Sequence, residues 1–454
     1  MKKSLLLATA LIGATSVFAG EPTPGTDATV YAPMTSGDVE FTLKNKWLYS
    51  NYTTGFGAGV GTDNEFGWAN GNCRTATLYD DAILITDNAN NGFHKFDFAT
   101  GKYIGFTKYT IGGEAVESGI ATTNTITTDD FGHVLVTGYV ANVLKAPIVV
   151  RQLDVTTGEL TEVAKIDCSA ETFAGETARV DYVYVIGDVT GKEAKGQIIA
   201  GVSSCGLAVI RATLEQGTTE WVGSFDGQFN WEERGIETYP ANMENWGTAA
   251  VATMIKDEEF SGDLFYIDGF TTCPTLYDKA GQTVGSFADA QALAPKPGTN
   301  GVTECSLAGK NFVIYSENQY VAPEFCRSRV ACFGEGNEYS ELQSFYEFPE
   351  QGLGAKSDGG IRIHCLQTKV VTDKNGKQGA YIVNYKSCNG LGLYLLAEKD
   401  FEDTVESGGV DGVEIDDNNA PAVYYNLNGV QVNNPENGLY IVKRGNKVTK
   451  EVIR

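Results

Sequence analysis

The residues best equipped for chemistry sit in one segment, Phe229-Asn-Trp-Glu-Glu-Arg-Gly-Ile-Glu-Thr-Tyr-Pro-Ala-Asn-Met-Glu-Asn-Trp246, which sets Trp231, Tyr239 and Trp246 beside Glu232, Glu233 and Arg234. Flat aromatic faces stack on a sugar ring or a peptide side chain while neighbouring polar groups fix its orientation. The segment is therefore the candidate binding site, with Trp231, Glu232, Arg234, Tyr239 and Trp246 as its contacts. The competing reading is that both tryptophans pack as ordinary core. Glu232 and Glu233 are adjacent, so on a strand they face opposite ways and make a poor acid/base pair.

Other chemical constellations are missing from the sequence. It contains no GxSxG elbow, no HExxH, no P-loop and no CxxC, and its three histidines, His94, His133 and His364, are far apart. No zinc, redox or other metal centre and no cofactor is expected, and no catalytic residue is assigned. Asp87-Asn-Ala-Asn-Asn-Gly92 has the outline of a calcium loop but lacks the terminal Glu. Gly55, Gly57, Gly59 and Gly61 are not followed by the strand and helix a phosphate loop needs, so they read as a flexible loop.

Charge narrows the partners. With 58 acidic against 34 basic residues the formal charge is −24. Such a surface repels phosphate backbones and acidic polysaccharides, so nucleic acid is a poor partner, while neutral glycans, proteins and cations stay open. The nine cysteines are too few for a disulfide scaffold and odd in number. Cys326 with Cys332, or Cys365 with Cys388, are near enough in sequence to bridge.

The elements that must position any site are strands. Ala82-Ile-Leu-Ile-Thr-Asp87, Gly92-Phe-His-Lys-Phe-Asp-Phe98 and Tyr103-Ile-Gly-Phe106 read as consecutive antiparallel strands, and the order recurs from His133, Gly196, Leu264, Phe312 and Gly379. Turn glycines fall about 55 to 65 residues apart, which suits four-stranded units with loops, and six such units fit. Meanders that bury their faces only against neighbouring sheets are best closed into a ring, because a ring leaves no long bare edge. The expected fold class is therefore all-β, a β-propeller of about six blades plus a small C-terminal β-module. Its core is expected to draw on Ile83, Ile85, Phe96, Val134, Val136, Val149, Ile199, Val209, Phe265, Ile267, Val313, Ile382 and Leu395. Trp47-Leu-Tyr-Ser-Asn-Tyr52 is the strand expected to pair into the last blade and shut the ring. A β-sandwich pair or a β-solenoid is the alternative architecture. Asp97-Phe-Ala-Thr-Gly101 and Asp154-Val-Thr-Thr-Gly158 match the Asp-x-x-Thr-Gly turn of extracytoplasmic propellers, and here the layout resembles the broad quinoprotein and NHL-like kind. That resemblance implies architecture and no catalytic residues.

The two ends differ from the body. Residues 1–19 combine a basic head (Lys2, Lys3), an apolar stretch from Leu5 to Ala14 and a small-residue exit at Val17-Phe18-Ala19, which is the pattern of a removable signal peptide. The first cysteine is Cys73, so a lipid anchor on a mature N-terminal Cys is not available, and beyond Ala19 no apolar run approaches the roughly 20 residues of a membrane span. No integral membrane segment is expected. The body spans 20–399, and residues 400–420, with eight acidic residues and no Lys or Arg, read as a linker. Residues 421–454 read as short strands with turns at Asn428-Gly429 and Gly445-Asn446. Within them, Tyr425-Asn-Leu-Asn-Gly-Val-Gln-Val432 and Asn437-Gly-Leu-Tyr-Ile-Val-Lys443 resemble the C-terminal sorting domains of type IX secretion cargo. The resemblance implies recognition by that secretion machinery and delivery to the cell surface or medium. Without a working signal the protein stays periplasmic, and the tail is then a small accessory β-domain.

Two functions follow as expectations. The first is a secreted or cell-surface, non-catalytic propeller that binds an extracellular glycan or protein. The second is a propeller glycoside hydrolase or lyase, which needs two carboxylates from different blades facing each other across the channel. A scaffold without a small ligand is the third possibility.

Overall fold

The computed structural model describes residues 30–403 apart from 53, 58–65, 118, 171–177, 204–207, 216–217, 227–249, 270–271, 288–300, 317–325, 335–337 and 355–362, and in the tail 423–425, 431–432, 438–444 and 447–453. Residues 1–19, expected to be a signal peptide, most of the acidic segment, the tail turns and the whole of Trp231, Glu232, Arg234, Tyr239 and Trp246 lie outside the described residues.

Six antiparallel sheets follow one another along the body. Blade 1 runs Ala76–Tyr79, Ala82–Asp87, Gly92–Asp97, Tyr103–Lys108, and blade 2 runs Thr125–Thr128, Val134–Thr137, Ile148–Leu153, Leu160–Ile166. In blade 3, Arg179–Val180 and Tyr184–Gly187 share the inner edge of Gly196–Ser203, followed by Ala208–Glu215 and Thr218–Asp226. Blade 4 is Val251–Met254, Leu264–Gly269, Thr272–Asp278, Thr283–Ser286, and blade 5 is Val302–Leu307, Lys310–Ser316, Ser328–Cys332, Gln343–Phe348. Blade 6 takes His364–Thr372, Gln378–Lys386 and Gly390–Glu398 from late in the chain and its outer strand, Val39–Ser50, from near the beginning. Closing the ring with both ends of the body sutures the one junction that chain continuity leaves open.

Inner strands hydrogen-bond from blade to blade. Thr77 meets Thr128 at 2.9 Å, the Gln367 side chain accepts the Leu78 N–H at 2.7 Å, and the Thr368 hydroxyl donates to the Glu304 carbonyl at 3.2 Å. The molecule is thus a six-bladed β-propeller, and the sandwich and solenoid alternatives fall. Its apolar core lies between blades, as in the cluster where Leu84 and Phe93 of blade 1 meet Ile126 and Val136 of blade 2. Strand alternation directs this, since residues facing up and down from each sheet both meet a neighbouring sheet. One expected core residue is corrected: Val149 is partly exposed, while Ile148 and Val150 on either side are fully buried, so that strand is one residue out of the expected phase.

The Asp-x-x-Thr-Gly turns work as the motif requires. The Asp97 carboxylate accepts the Thr100 N–H at 2.8 Å and Asp154 accepts those of Thr156 and Thr157, while Gly101 and Gly158 take φ of +70° and +83°.

Neither candidate cysteine bridge is present among the described residues. Cys326, Cys332 and Cys365 are buried thiols.

The tail is a separate compact unit with its own sheet, in which Val423–Tyr425 pairs with Gln431–Val432 on one side and Gly438–Arg444 on the other, and Lys447–Ile453 forms the far edge. Among the described residues no helix is long and apolar enough to cross a membrane.

Candidate functional site

Each blade's second strand ends on the same face of the ring, and at its last residue, or in blade 4 one residue before it, stands a polar side chain where an apolar one would be expected. The six are Asp87, Thr137, Ser203, Asp268, Ser316 and Lys386, and none is more than 1% exposed. They form a polar collar around one mouth of the channel. The signal was present in the sequence, since Ile-Leu-Ile-Thr-Asp87, Leu-Val-Thr137, Phe-Tyr-Ile-Asp268 and Val-Ile-Tyr-Ser316 all close an apolar run with a polar side chain. It is visible only once the six runs are aligned on their strand ends.

Part of the collar is fully bonded. The Ser203 hydroxyl accepts the Ala250 N–H at 2.9 Å and donates to Asp181 at 3.2 Å, and the Arg179 Nε donates to Asp181 at 2.7 Å with Arg74 at 3.9 Å. The Asn124 amide donates to the Asp181 carbonyl at 2.8 Å. These contacts tie blades 2, 3 and 4 together at the mouth.

The rest is not. Both carboxylate oxygens of Asp268, which feel the nearby Gly301 N–H without closing a well-formed hydrogen bond to it, the Asn124 Oδ1, the Thr123 Oγ1, the Asn88 Nδ2, the His364 Nδ1 and the Asn384 Nδ2 are buried and find no hydrogen-bond partner among the described residues. Buried polar atoms are rarely left so, because each costs about 1–3 kcal/mol. Their concentration at the collar end of the blades, from blades 1, 2, 4 and 6, makes this end the candidate site.

Two titratable groups at this end, Asp268 in the collar and His364 beside it, are held uncharged by burial. Burial drives the Asp268 carboxyl well above the ordinary 3.8, against the Gly301 N–H and the Lys386 ammonium, which pull the other way. Burial pushes His364 down to about 3, helped by the Lys386 charge and opposed by the Asn384 side chain. The orphaned atoms therefore present a neutral carboxylic acid, a neutral imidazole, amides and a hydroxyl, donors and acceptors together.

The segment from 227 to 249 that carries the sequence-derived contacts joins the outer strand of blade 3 to the inner strand of blade 4. Its return point, Ala250, is the residue bonded to Ser203 in the collar.

The structure also brings together two sets of side chains that could hold a cation. In blade 1 these are Cys73, Asp87 and His94, and between blades 2 and 3 they are Asp129, His133 and Asp188. Sequence spacing hid both, because register across a hairpin, not separation along the chain, sets the first, and adjacency of two blades sets the second.

The ring and its collar define a six-bladed propeller with a buried polar collar at one end. No family model matches the chain, and no curated protein matches it. Among solved structures it is similar to a DUF4623 family protein from Bacteroides eggerthii, at 14% identity over 74% of this chain and 72% of that one, with a TM-score of 0.51. It is also similar to the GH93 alpha-L-arabinofuranosidase of Fusarium graminearum (12% identity, 72% and 93% covered, TM-score 0.40) and to the Penicillium chrysogenum alpha-L-arabinanase (10%, 73% and 95%, 0.40). At these identities the likeness is one of fold.

Proposed function

We propose that this is an exported propeller that binds a neutral glycan at its polar mouth, or, as the other ligand of the same chemistry, an uncharged polar protein segment. The observation that carries the reading is the set of orphaned neutral donors and acceptors around Asp268, Asn124, Thr123, His364 and Asn384. Hydroxyl-rich sugars supply both kinds of partner at close spacing, and the chain's net charge of −24 disfavours anionic ligands. Trp231, Tyr239 and Trp246, with Glu232 and Arg234, would stack on and orient the ligand from the segment that rejoins the fold at Ala250. The signal peptide and the sorting-like tail support delivery to the cell surface or medium, through type IX secretion machinery if the tail is a working signal and as far as the periplasm if it is not.

The glycosidase reading draws on one observation, that Asp268 is an uncharged acid able to give a proton. It needs a second, unencumbered carboxylate across the channel. Asp181, on the adjacent blade, is already held by Arg179 and Ser203, which favours binding over hydrolysis.

The test is an array of neutral and acidic glycans and of extracellular proteins, probed with the mature full-length chain. Retention of neutral glycans, weakened tenfold or more by Asn124→Ala or by Trp231→Ala, is the expected result. Absence of retention on every feature would remove the reading, and release of reducing sugar from a retained glycan would turn it into the hydrolase.

A further inference from the structure

We infer that Cys73, Asp87 and His94 form a binding site for a single zinc-class divalent cation in blade 1. The thiol, one carboxylate oxygen and one imidazole nitrogen all lie within 4.8 Å of one another, and all three residues are buried. A thiolate, a neutral imidazole and a carboxylate are together the donor set of a borderline-soft ion such as Zn²⁺, and not of Ca²⁺ or Mg²⁺, which take oxygens alone.

The spacing agrees with that chemistry. Donors bound to zinc at about 2.0–2.3 Å stand about 3.3 to 3.7 Å apart at tetrahedral angles. His94 Nε2 and Asp87 Oδ2 are 3.3 Å apart, so two ligands are already in place, and the thiol has at most about 1 Å to close. Asp87 Oδ1 accepts the backbone N–H groups of Ala89 and Asn90 at 3.0 and 3.1 Å, and Oδ2 accepts the Asn90 side-chain amide at 2.7 Å while keeping a lone pair turned toward His94. Cys73 is held from behind, its carbonyl accepting the Tyr385 hydroxyl and its thiol lying 3.3 Å from the Trp68 carbonyl.

An outer layer of support is present too. The His94 ring stacks on Trp68 at 3.3 Å between centroids and 10° between planes, and its Nδ1 lies 3.0 Å from the Tyr103 hydroxyl. A metal on Nε2 requires the ring proton on Nδ1, and a tyrosine hydroxyl accepts from that nitrogen as readily as it donates to it, so the ring changes tautomer in place. Cys73 binds as the thiolate, its proton leaving to solvent. A surface depression lined by Ala89, Asn90, His94, Phe106 and Lys108 reaches the site at His94 and is its route of access.

The second set is more heavily bonded to its own loops. Asp129 accepts the N–H groups of Phe131, His133 and Val189, and Asp188 those of Thr190, Lys192 and Glu193, so its carboxylates are committed to holding loops. The inference stands apart from the glycan reading, because its test reads the metal alone.

The full-length protein is stripped with a chelator, dialysed, and titrated with Zn²⁺ and with Co²⁺. The expected result is one ion per chain, with a sulfur-to-cobalt charge-transfer band in the near ultraviolet. Cys73→Ser abolishes that band, and His94→Gln weakens binding tenfold or more, while His133→Gln leaves both unchanged. Circular dichroism confirms that each variant is folded, and if Cys73→Ser is not, His94→Gln decides. No stoichiometric binding by the parent, a band that survives Cys73→Ser, or loss of binding on His133→Gln with His94→Gln unaffected would each overturn the inference.

Discussion

The indole N–H of Trp47 donates to the Phe98 carbonyl in blade 1 at 2.8 Å, although the strand that carries Trp47 is paired edge to edge with blade 6, opposite Leu393. Two positions on, the Tyr49 hydroxyl donates to the Gly101 carbonyl at 2.9 Å. One strand therefore belongs to the last blade through its backbone and to the first through its side chains, which is how the ring is held shut.

Gly101 reports on that closure. A Cβ there would lie 2.5 Å from the Trp47 ring, at a φ of +70° that side chains resist, whereas a Cβ on Gly112, at φ +62°, meets nothing within 4 Å. Gly112→Ala is expected to cost about 1 kcal/mol, from backbone conformation alone. Gly101→Ala should cost at least twice as much, and Trp47→Ala about 3–5 kcal/mol. Urea unfolding of the three variants checks the order, and equal losses at Gly101 and Gly112 would mean that Trp47 does not seal the junction.

Glu304 links blades 4 and 5 through the Tyr266 hydroxyl, and burial pushes its carboxyl up to about 7 against that hydrogen bond. A raised carboxyl binds its proton more tightly in the fold than in the unfolded chain. Its contribution to stability is therefore complete below about 4.5 and is lost as pH climbs to about 7. Glu304→Gln keeps the shape and removes the titration. The variant should gain on the parent by up to ~1.4 kcal/mol per pH unit across that window. Unfolding free energies at pH 4.5, 6 and 7 that run parallel in the two proteins would contradict this.

Asp129 is the staple between blades 2 and 3 on the opposite face. Its oxygens take the N–H groups of Phe131 and His133 at 3.0 and 2.8 Å and that of Val189, across the blade junction, at 2.9 Å. Asp129→Ala strands all three donors and is expected to cost at least about 2 kcal/mol. His133, whose side chain is 25% exposed where it meets Asp129, should lose less than about 1 kcal/mol on conversion to Ala. Denaturant midpoints with unchanged slopes would verify the ranking.

The ring was readable from the sequence because strand alternation and turn chemistry are local. The Asp97 and Asp154 turns declared themselves, and the same device operates less visibly at Asp278 and Asp373, whose carboxylates accept N–H groups two and four residues on, with Gly281 and Gly376 both at φ +79°. Trp47 could be assigned to closure because an unpaired apolar strand ahead of the first blade has one place to go. The collar was readable only as separate strand ends, since Asp87 and Lys386 are about 300 residues apart and come onto adjacent blades only through ring closure. Cys73, Asp87 and His94 escaped for a related reason: the hairpin register that sets Asp87 opposite Gly92 also turns His94 back toward it, a relation no ligand-spacing rule contains.

Asp268 separates a binding mouth from an imperfect core. Its carboxyl is held well above the ordinary 3.8 by complete burial, so the fold keeps a proton that the unfolded chain gives up, and stability falls as pH rises from about 4 toward neutrality. Asp268→Asn removes that loss. The variant should match the parent below pH 4 and exceed it at pH 7. An Asn, however, cannot offer the hydroxyl donor of a neutral acid. If the acid is retained for a ligand, the more stable variant should hold neutral glycans at least tenfold more weakly than the parent, the exchange of stability for function seen at binding sites. Paired measurements of unfolding and glycan retention at pH 7 decide the matter. A variant that is both more stable and undiminished in retention would show that Asp268 does not touch the ligand, and the orphaned atoms of Asn124 and His364 would then have to account for binding alone.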